Sequence, residues 1–450
     1  MVRSRQTTRV TWPALGFVYL GVGILIATLA LGCLAMFHFA FASPGSRFTF
    51  QHSRPLHVSL AVAWIFGTVI GLVYAVLPSA TGRPLFSKRL AGFHLAWFVF
   101  FGLAIVVALA SGSFGGREYW AFPPIFAIAI LVSWLLFAIN FFGTVRRGKG
   151  PYPVYVWMWM TGILGFFFTY GESLLWMIPH FSGNPIREAT VQWKSYGSMV
   201  GSWNMLIYGT QFYIMKQIEG EQASGFSKKA FFFYFLSLTN MMFNWGHHTY
   251  PVPGSVWIDH VAYVISLTEL AFFVKIIADW SKRLDAARKH RHNTSYRFFV
   301  AAEWWGYLNL ALALLISIPA INWMTHGTHI TVAHAMGSTI GINTMILIGA
   351  VSYVLHGGAG QEHLGWQVSK GFWLTQVSLL AFFLSLVGAG VYNAVHEQSE
   401  VQHTMILFQL KPVFGAALVA GLGIAAGMFL VLAKLVWTHA RHPIPQTEPV

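Results

Sequence analysis

His334 and Met336 sit two positions apart in the stretch HGTHITVAHAMGSTIGINTMILIGAVSY, residues 326–353. An imidazole and a thioether are both axial ligands of haem iron. The stretch reads as the start of a long apolar helix, in which positions i and i+2 face nearly opposite sides at about 100° per residue. One helix can therefore offer a ligand to each of two flanking sites. His57, in HSRPLHVSLAVAW, and the adjacent pair His247–His248, in NWGHHTYPVPGSVW, add three more imidazoles. Each has an ordinary alternative: a headgroup-facing His57, a helix-end pair capping carbonyls, a packed Met336. A proline-rich turn follows the histidine pair and would fix its orientation, as metal-binding histidines require.

The elements that must position these side chains are membrane helices. The chain of 450 residues is 56% hydrophobic and 9% charged, with a mean hydropathy of +0.58. A soluble domain could not hide that much apolar surface, so lipid is the expected solvent. Cys33 is the single cysteine, which excludes a disulfide framework, a multi-cysteine copper centre, an iron–sulfur cluster and a CxxCH haem attachment. Twelve apolar spans are expected, near 12–42, 50–78, 87–112, 122–146, 152–178, 191–218, 228–248, 256–285, 296–320, 328–355, 366–396 and 403–438. The first is too long for a signal-peptide core and is read as retained. No internal repeat is evident, and the fold class is all-α integral membrane, with residues 1–450 as one membrane domain.

The net charge of +14 invites a nucleic-acid reading, but the basic residues fall in short loops between the apolar runs. Arg3, Arg5, Arg9, Arg83, Lys88, Arg89, Arg146, Arg147, Lys149, Lys228, Lys229 and the run SKRLDAARKHRH lie on one side. The other side holds few: Arg47, Arg54, Arg117, Arg187 and Lys194. By the positive-inside rule both termini are cytoplasmic and no nucleic-acid partner is expected. This topology then puts His57, His247, His248, His334 and Met336 at one depth, towards the outer face. None of these five residues enters the count of charges, so the coincidence is informative.

Four motifs carry a family resemblance. RPLHVSLAVAWIFG, GHHTYPVPGSVWI, SLTELAFF and THGTHITVAH, in order and spacing, resemble the large catalytic subunit of the haem–copper oxidase superfamily, closest to its nitric oxide reductase branch. The resemblance covers essentially the whole chain and implies a twelve-helix bundle. It implies that His57 and the position of Met336 bind a low-spin haem, with Arg54 three residues before His57. It implies that His334 binds a high-spin haem, that His247 and His248 hold a non-haem metal, and that Glu269 is the reductase carboxylate of span 8.

The departures from the pattern matter as much. Where the family has a second span-10 histidine, this chain has Met336, and His/Met ligation raises a haem's reduction potential. Span 6, QWKSYGSMVGSWNMLIYGTQFY, contains no histidine. The family's metal-ligand position falls near Gly197, with Tyr196, Ser198 and Asn204 as nearby oxygen donors. Its glutamate positions fall near Gly201 and Met205. Tyr208 stands four residues after Asn204, the oxidase spacing for a redox-active phenol, although a packed core tyrosine is the plainer reading.

The activity expected from the resemblance is nitric oxide reduction, fed by two haems and one non-haem metal. With imidazole and carboxylate donors, iron suits that site better than copper. Glu269 is then the carboxylate for metal ligation or proton delivery. Electrons are expected from a c-type cytochrome or copper-protein subunit, or from quinol. A bacterial inner membrane is the expected location, with the metal sites near its outer face. Nitric oxide dismutation, other remodelled NO or O2 chemistry, and a non-catalytic haem protein for electron transfer or gas sensing remain open on sequence.

Overall fold

A computed structural model describes residues 10–41, 48–148, 150–220, 224–250, 252–356, 364–397 and 403–441. Arg3, Arg5, Arg9, Arg47 and Lys149, which enter the charge asymmetry, lie outside them. The described chain is almost entirely helical, apart from one isolated bridge between Arg117 and Trp120. Its principal helices are α1 (Trp12–Phe41), α2 (Phe50–Thr81), α3 (Lys88–Ala110), α4 (Phe126–Val145), α5 (Val154–Glu172) and α6 (Pro185–Glu219). They continue with α7 (Lys228–Phe243), α8 (Val256–Arg283), α9 (Asn293–Ile316), α10 (His329–His356), α11 (Gly365–Glu397) and α12 (Lys411–Arg441).

Every expected span is thus helical, but among the described residues ten helices are long and apolar enough to cross a membrane. The two outside that set are α6, which carries a polar run at its start, and α7, which has 16 residues before its helix tightens. Three expected limits shift for local reasons. Span 5 ends at Glu172, followed by a 3-10 turn at Leu175–Met177 that leads into Pro179. Span 12 breaks into Pro412-containing α12 and a separate helix, His403–Gln409; proline is favoured in a helix's first turn because its missing N–H is unneeded there. Span 7 ends in a 3-10 turn, Asn244–His248, which holds the histidine pair.

Local signals set the starts of the helices that matter. Asn184 caps α6, its side-chain oxygen accepting from the Ile186 and Arg187 amides at 3.0 and 3.1 Å. Pro185 follows at the first helical position, and Gly220 closes α6 in the left-handed conformation with φ 79°. Thr328 caps α10 by accepting from the Ile330 amide at 3.3 Å, which places His334 in the second turn. Such a cap stabilises a helix start by about 1 kcal/mol.

Packing separates inner from outer helices. The apolar stretches of α2 and α10 are 83% and 78% buried, against 11% for α3. On α3, Phe100, Leu103 and Val107 are exposed, a lipid-facing stripe in a membrane protein. The two helices expected to carry haem ligands are therefore the most buried of these ten. They are joined directly: the Trp64 indole on α2 donates to Thr344 Oγ1 on α10 at 3.2 Å.

Beyond Met336, α10 widens into a π-helical segment, Gly337–Thr344. Thr344 Oγ1 donates to the Thr339 carbonyl at 2.9 Å, and Asn309 on α9 donates to Ser338 Oγ at 2.6 Å. Wide turns of this kind occur mostly at functional sites, because they re-aim the side chains beside them. The regular apolar periodicity of this stretch carries no sign of it.

Candidate metal centre

His57 lies on the α1-facing side of α2. Its Nδ1 is 2.8 Å from the Thr28 carbonyl oxygen, which can only accept, so Nδ1 carries the proton and Nε2 keeps its lone pair. That is the tautomer of an imidazole prepared for a metal. Gly32 makes room for it: a Cβ there would come within 2.8 Å of His57 Cε1. The ring is therefore cradled between α1 and α2 with one nitrogen held and one offered. Met336, ahead of the most buried stretch of α10, is partly buried and packs against the main hydrophobic core.

One turn before His57, Arg54 pairs with Glu118 at 2.5 Å. The pair borders a cavity of about 520 Å³, lined also by Phe50, Phe114, Arg117 and Tyr119. Arg117 in turn pairs with Glu188 at the start of α6, at 2.6 Å. Both arginines of this mouth already hold carboxylates, the kind of partner a guanidinium fork matches.

The histidine pair is built from three helices. The 3-10 turn at Asn244–His248 is tied to α6 by Asn244 Nδ2, which donates to the Gly197 carbonyl at 3.1 Å. The His247 and His248 rings lie 4.2 Å apart, and Trp193 stacks on His248 at 5.6 Å and 12°. His334 lies within electrostatic range of both rings, and its Nδ1 is buried without a hydrogen-bond partner. An orphaned imidazole nitrogen beside two further imidazoles is what a ligand site looks like when only protein atoms are counted.

Position 197 cannot contribute a third imidazole. A Cβ on Gly197 would come within 2.8 Å of Trp245 Cα, a backbone atom that cannot yield. Gly201 is likewise pressed on the Met241 backbone, and Met205 is fully buried. Of the nearby oxygen donors, Tyr196 rests against Tyr119 at 5.1 Å, in the loop between α3 and α4. Asn204 accepts from Asn343 of α10 at 3.3 Å. Ser198 is buried in the same helix. Among the described residues no three His, Cys, Asp or Glu side chains form a metal-binding group.

Glu269 is buried on α8 and takes a hydrogen bond from Asn240 Nδ2 of α7. Asn240 Oδ1 accepts from Ser266 at 3.0 Å, and Ser266 Oγ is 3.3 Å from His247 Nδ1. The carboxyl therefore reaches the histidine pair through two intervening side chains. Tyr208 stacks on Phe273, one turn beyond Glu269, with ring centres 4.2 Å apart. The packed-core reading of this tyrosine accounts for that environment.

Haem donors fit this arrangement: His57 offers Nε2 from a held ring, and His334 has a buried nitrogen free. A second metal would find two imidazoles and, among the described residues, no third. Sequence reasoning missed Thr28, Trp193, Ser266 and Asn240. Ser266 and Asn240 left a faint signal, as isolated polar residues in apolar helices; Thr28 left none.

Residues 13–439 match the family described as Cytochrome C and Quinol oxidase polypeptide I. The chain belongs to this haem–copper oxidase family. It is 23% identical to a nitric oxide reductase subunit of Stutzerimonas stutzeri over 76% of this chain and 75% of that one. It is 24% identical to the Cbb3-type cytochrome c oxidase subunit CcoN1 of the same organism, over 97% and 94% of the two chains. Cytochrome c oxidase subunit 1 of Rhodobacter capsulatus is 23% identical over 88% and 75%. Among solved structures, a heme-copper terminal oxidase dimer superposes with a TM-score of 0.78 at 15% identity, over 98% of this chain and 85% of that one. That likeness concerns the fold. The haem–copper oxidase chain is thus a membrane oxidoreductase of a family built around haems and a metal site. Its members take electrons from cytochromes or quinol.

Proposed function

We propose that the protein reduces nitric oxide: two NO, two electrons and two protons give N2O and water. The observation that carries this reading is the union of His334, the His247–His248 pair and a buried carboxyl, Glu269, hydrogen-bonded towards that pair. Haem iron and a second metal, when bound, would supply adjacent one-electron centres where NO is held and reduced. In this reading His334 holds a high-spin haem, while His57 and Met336 hold a low-spin haem. His247 and His248 hold non-haem iron rather than copper, the remaining positions being filled from outside the protein. Glu269 would hold and release protons, and Arg54, paired here with Glu118, would be available to a carboxylate of the low-spin haem. Tyr208 contributes packing beside Glu269.

The same reading gives one membrane domain of twelve spans with both termini cytoplasmic, in a bacterial inner membrane, and metal sites near the outer face. With no CxxCH in the chain, electrons enter from a c-type cytochrome or copper-protein subunit, or from quinol. The exclusion of a third imidazole at position 197 favours one second reading, a haem protein for electron transfer or gas sensing that lost the second metal. Haem and metal stoichiometry on purified protein separates the two. Two haems with about one extra iron and N2O formation support the reductase, whereas two haems and no further metal would sink it.

A prediction about the low-spin site follows from the cradle around His57. Gly32→Val is expected to displace the ring, since overpacking costs about 1–3 kcal/mol and the nearest atoms belong to the ligand itself. The reduced-minus-oxidised optical spectrum should then lose its low-spin component and keep the high-spin one. An unchanged spectrum would mean that His57 is not held where the haem needs it.

Position 197 gives a converse expectation. Gly197→His should not create a three-histidine site, because its Cβ meets the Trp245 backbone. The variant is expected to lose stability and bind no more metal than the parent, as read by thermal unfolding and metal analysis.

A further inference from the structure

We propose that the paired ends of α11 and α12 form a binding site for the headgroup of an anionic phospholipid. Its residues are Trp366 and Lys370 on α11 and Lys434, Trp437 and Arg441 on α12. The site lies at the bundle end that the proposed topology makes cytoplasmic, and it does not depend on how haem or a second metal is held. The two helices run antiparallel and meet backbone to backbone. A Cβ on Gly371 would come within 2.7 Å of the Gly427 carbonyl oxygen and 2.9 Å of the Val431 side chain. Small residues allow such close approach between helices in lipid. The contact sets the register, with the first turns of α11 beside the last turns of α12. Lys370 is then rotated by about 100° from the contact at Gly371, and Trp437 by about 80° from the contact at Gly427. Because the helices run in opposite directions, both rotations lead to the same flank of the pair.

On that flank each indole carries cations. Lys434 Nζ is 4.6 Å and Arg441 Cζ 4.2 Å from the centre of the Trp437 ring, one turn before it and one turn after. Lys370 Nζ is 4.5 Å from the centre of the Trp366 ring. Both rings are nonetheless open to their surroundings, Trp366 at 65% and Trp437 at 47% exposure. Arg283 and Arg288, at the same end of the bundle, pair with Glu219 and Asp285. Among the described residues Lys370, Lys434 and Arg441 pair with no carboxylate. The positive-inside rule accounts for basic residues at this end, but not for cations ordered over exposed rings with their charge uncompensated. Tryptophan settles at the headgroup level of a bilayer, and a phosphate accepts from ammonium and guanidinium groups alike. A zwitterionic headgroup would bring its own cation against these three; an anionic one brings only the complementary charge.

The test is native mass spectrometry of the purified protein in detergent, titrated with dioleoylphosphatidylglycerol or dioleoylphosphatidylcholine. The parent is expected to prefer phosphatidylglycerol. Lys434→Gln combined with Arg441→Gln should weaken phosphatidylglycerol binding by about 5-fold per cation removed and leave phosphatidylcholine binding unchanged. Trp437→Leu keeps every charge and should also weaken phosphatidylglycerol binding, because the ring no longer orders its two cations. Lys88→Gln combined with Arg89→Gln removes the same charge from the exposed first turn of α3, at the same bundle end, and should keep near-parental affinity. Should the α12 double variant fail to fold, Lys370→Gln carries the comparison, with about 5-fold weakening expected. Equal affinity of the parent for the two lipids would overturn the proposal, as would parental affinity in the α12 double variant. Equal loss in the α12 and α3 double variants would also overturn it, because the lipid would then be reading the diffuse charge of this end and no particular site.

Discussion

Replacing His334 with alanine is expected, on the proposed ligand assignment, to remove the high-spin haem and leave the low-spin spectrum in place. The two sites rest on different contacts. His57 is held by the Thr28 carbonyl and cradled at Gly32, between α1 and α2. His334 belongs to the second turn of α10 and lies within electrostatic range of the histidine pair. If the protein reduces NO as proposed, the loss of turnover should exceed the ~10–100-fold that removal of an outer hydrogen-bond partner costs, because the ligand itself is gone. Haem quantification with optical spectra of the reduced protein checks it. Joint loss of both signals would count against the assignment of separate ligands.

The second large effect is expected on electron entry. Met336→His converts the proposed His/Met ligation to His/His and should lower the reduction potential of the low-spin haem. Axial ligation sets haem potentials across about 0.8 V, so a drop on the order of tenths of a volt is in range. A potentiometric titration followed at the low-spin band reads it directly. The side chains are similar in bulk and Met336 packs only partly buried against the core, so the fold should tolerate the exchange. An unshifted potential would show that Met336 is packing and does not touch the iron.

Much of this was legible without a structure. The helical stretches around His57, Glu269 and His334 were readable because apolar runs of twenty residues have few alternatives in lipid. The absence of histidine from span 6 was equally plain. What could not be read was whether that absence was compensated. Asn204, Tyr196 and Ser198 all stood near the vacant position by sequence spacing. Their actual partners, Asn343 for Asn204 and Tyr119 for Tyr196, come from α10 and the loop between α3 and α4, remote in sequence.

Glu269 shows the same division. Its place in SLTELAFF marked it as a buried acid of consequence, since an ionisable group in a membrane span usually has a partner. Its separation from His247 by Asn240 and Ser266 depends on how α7 lies against α8, a matter of helix rotation and depth. The π-helical turn after Met336 is a further case, because it needs Thr339, Thr344 and Trp64 of a distant helix to hold it.

The sequence by itself therefore determined the class of the protein, its helices and the residue types able to bind haem and metal. Those follow from local composition, periodicity and short motifs. Only the tertiary structure decided that Thr28 orients His57, that Trp245 closes position 197, and that Glu269 reaches the histidine pair through two other side chains. Each of these is a contact between helices far apart in the chain, and its geometry is set by packing that no local pattern encodes.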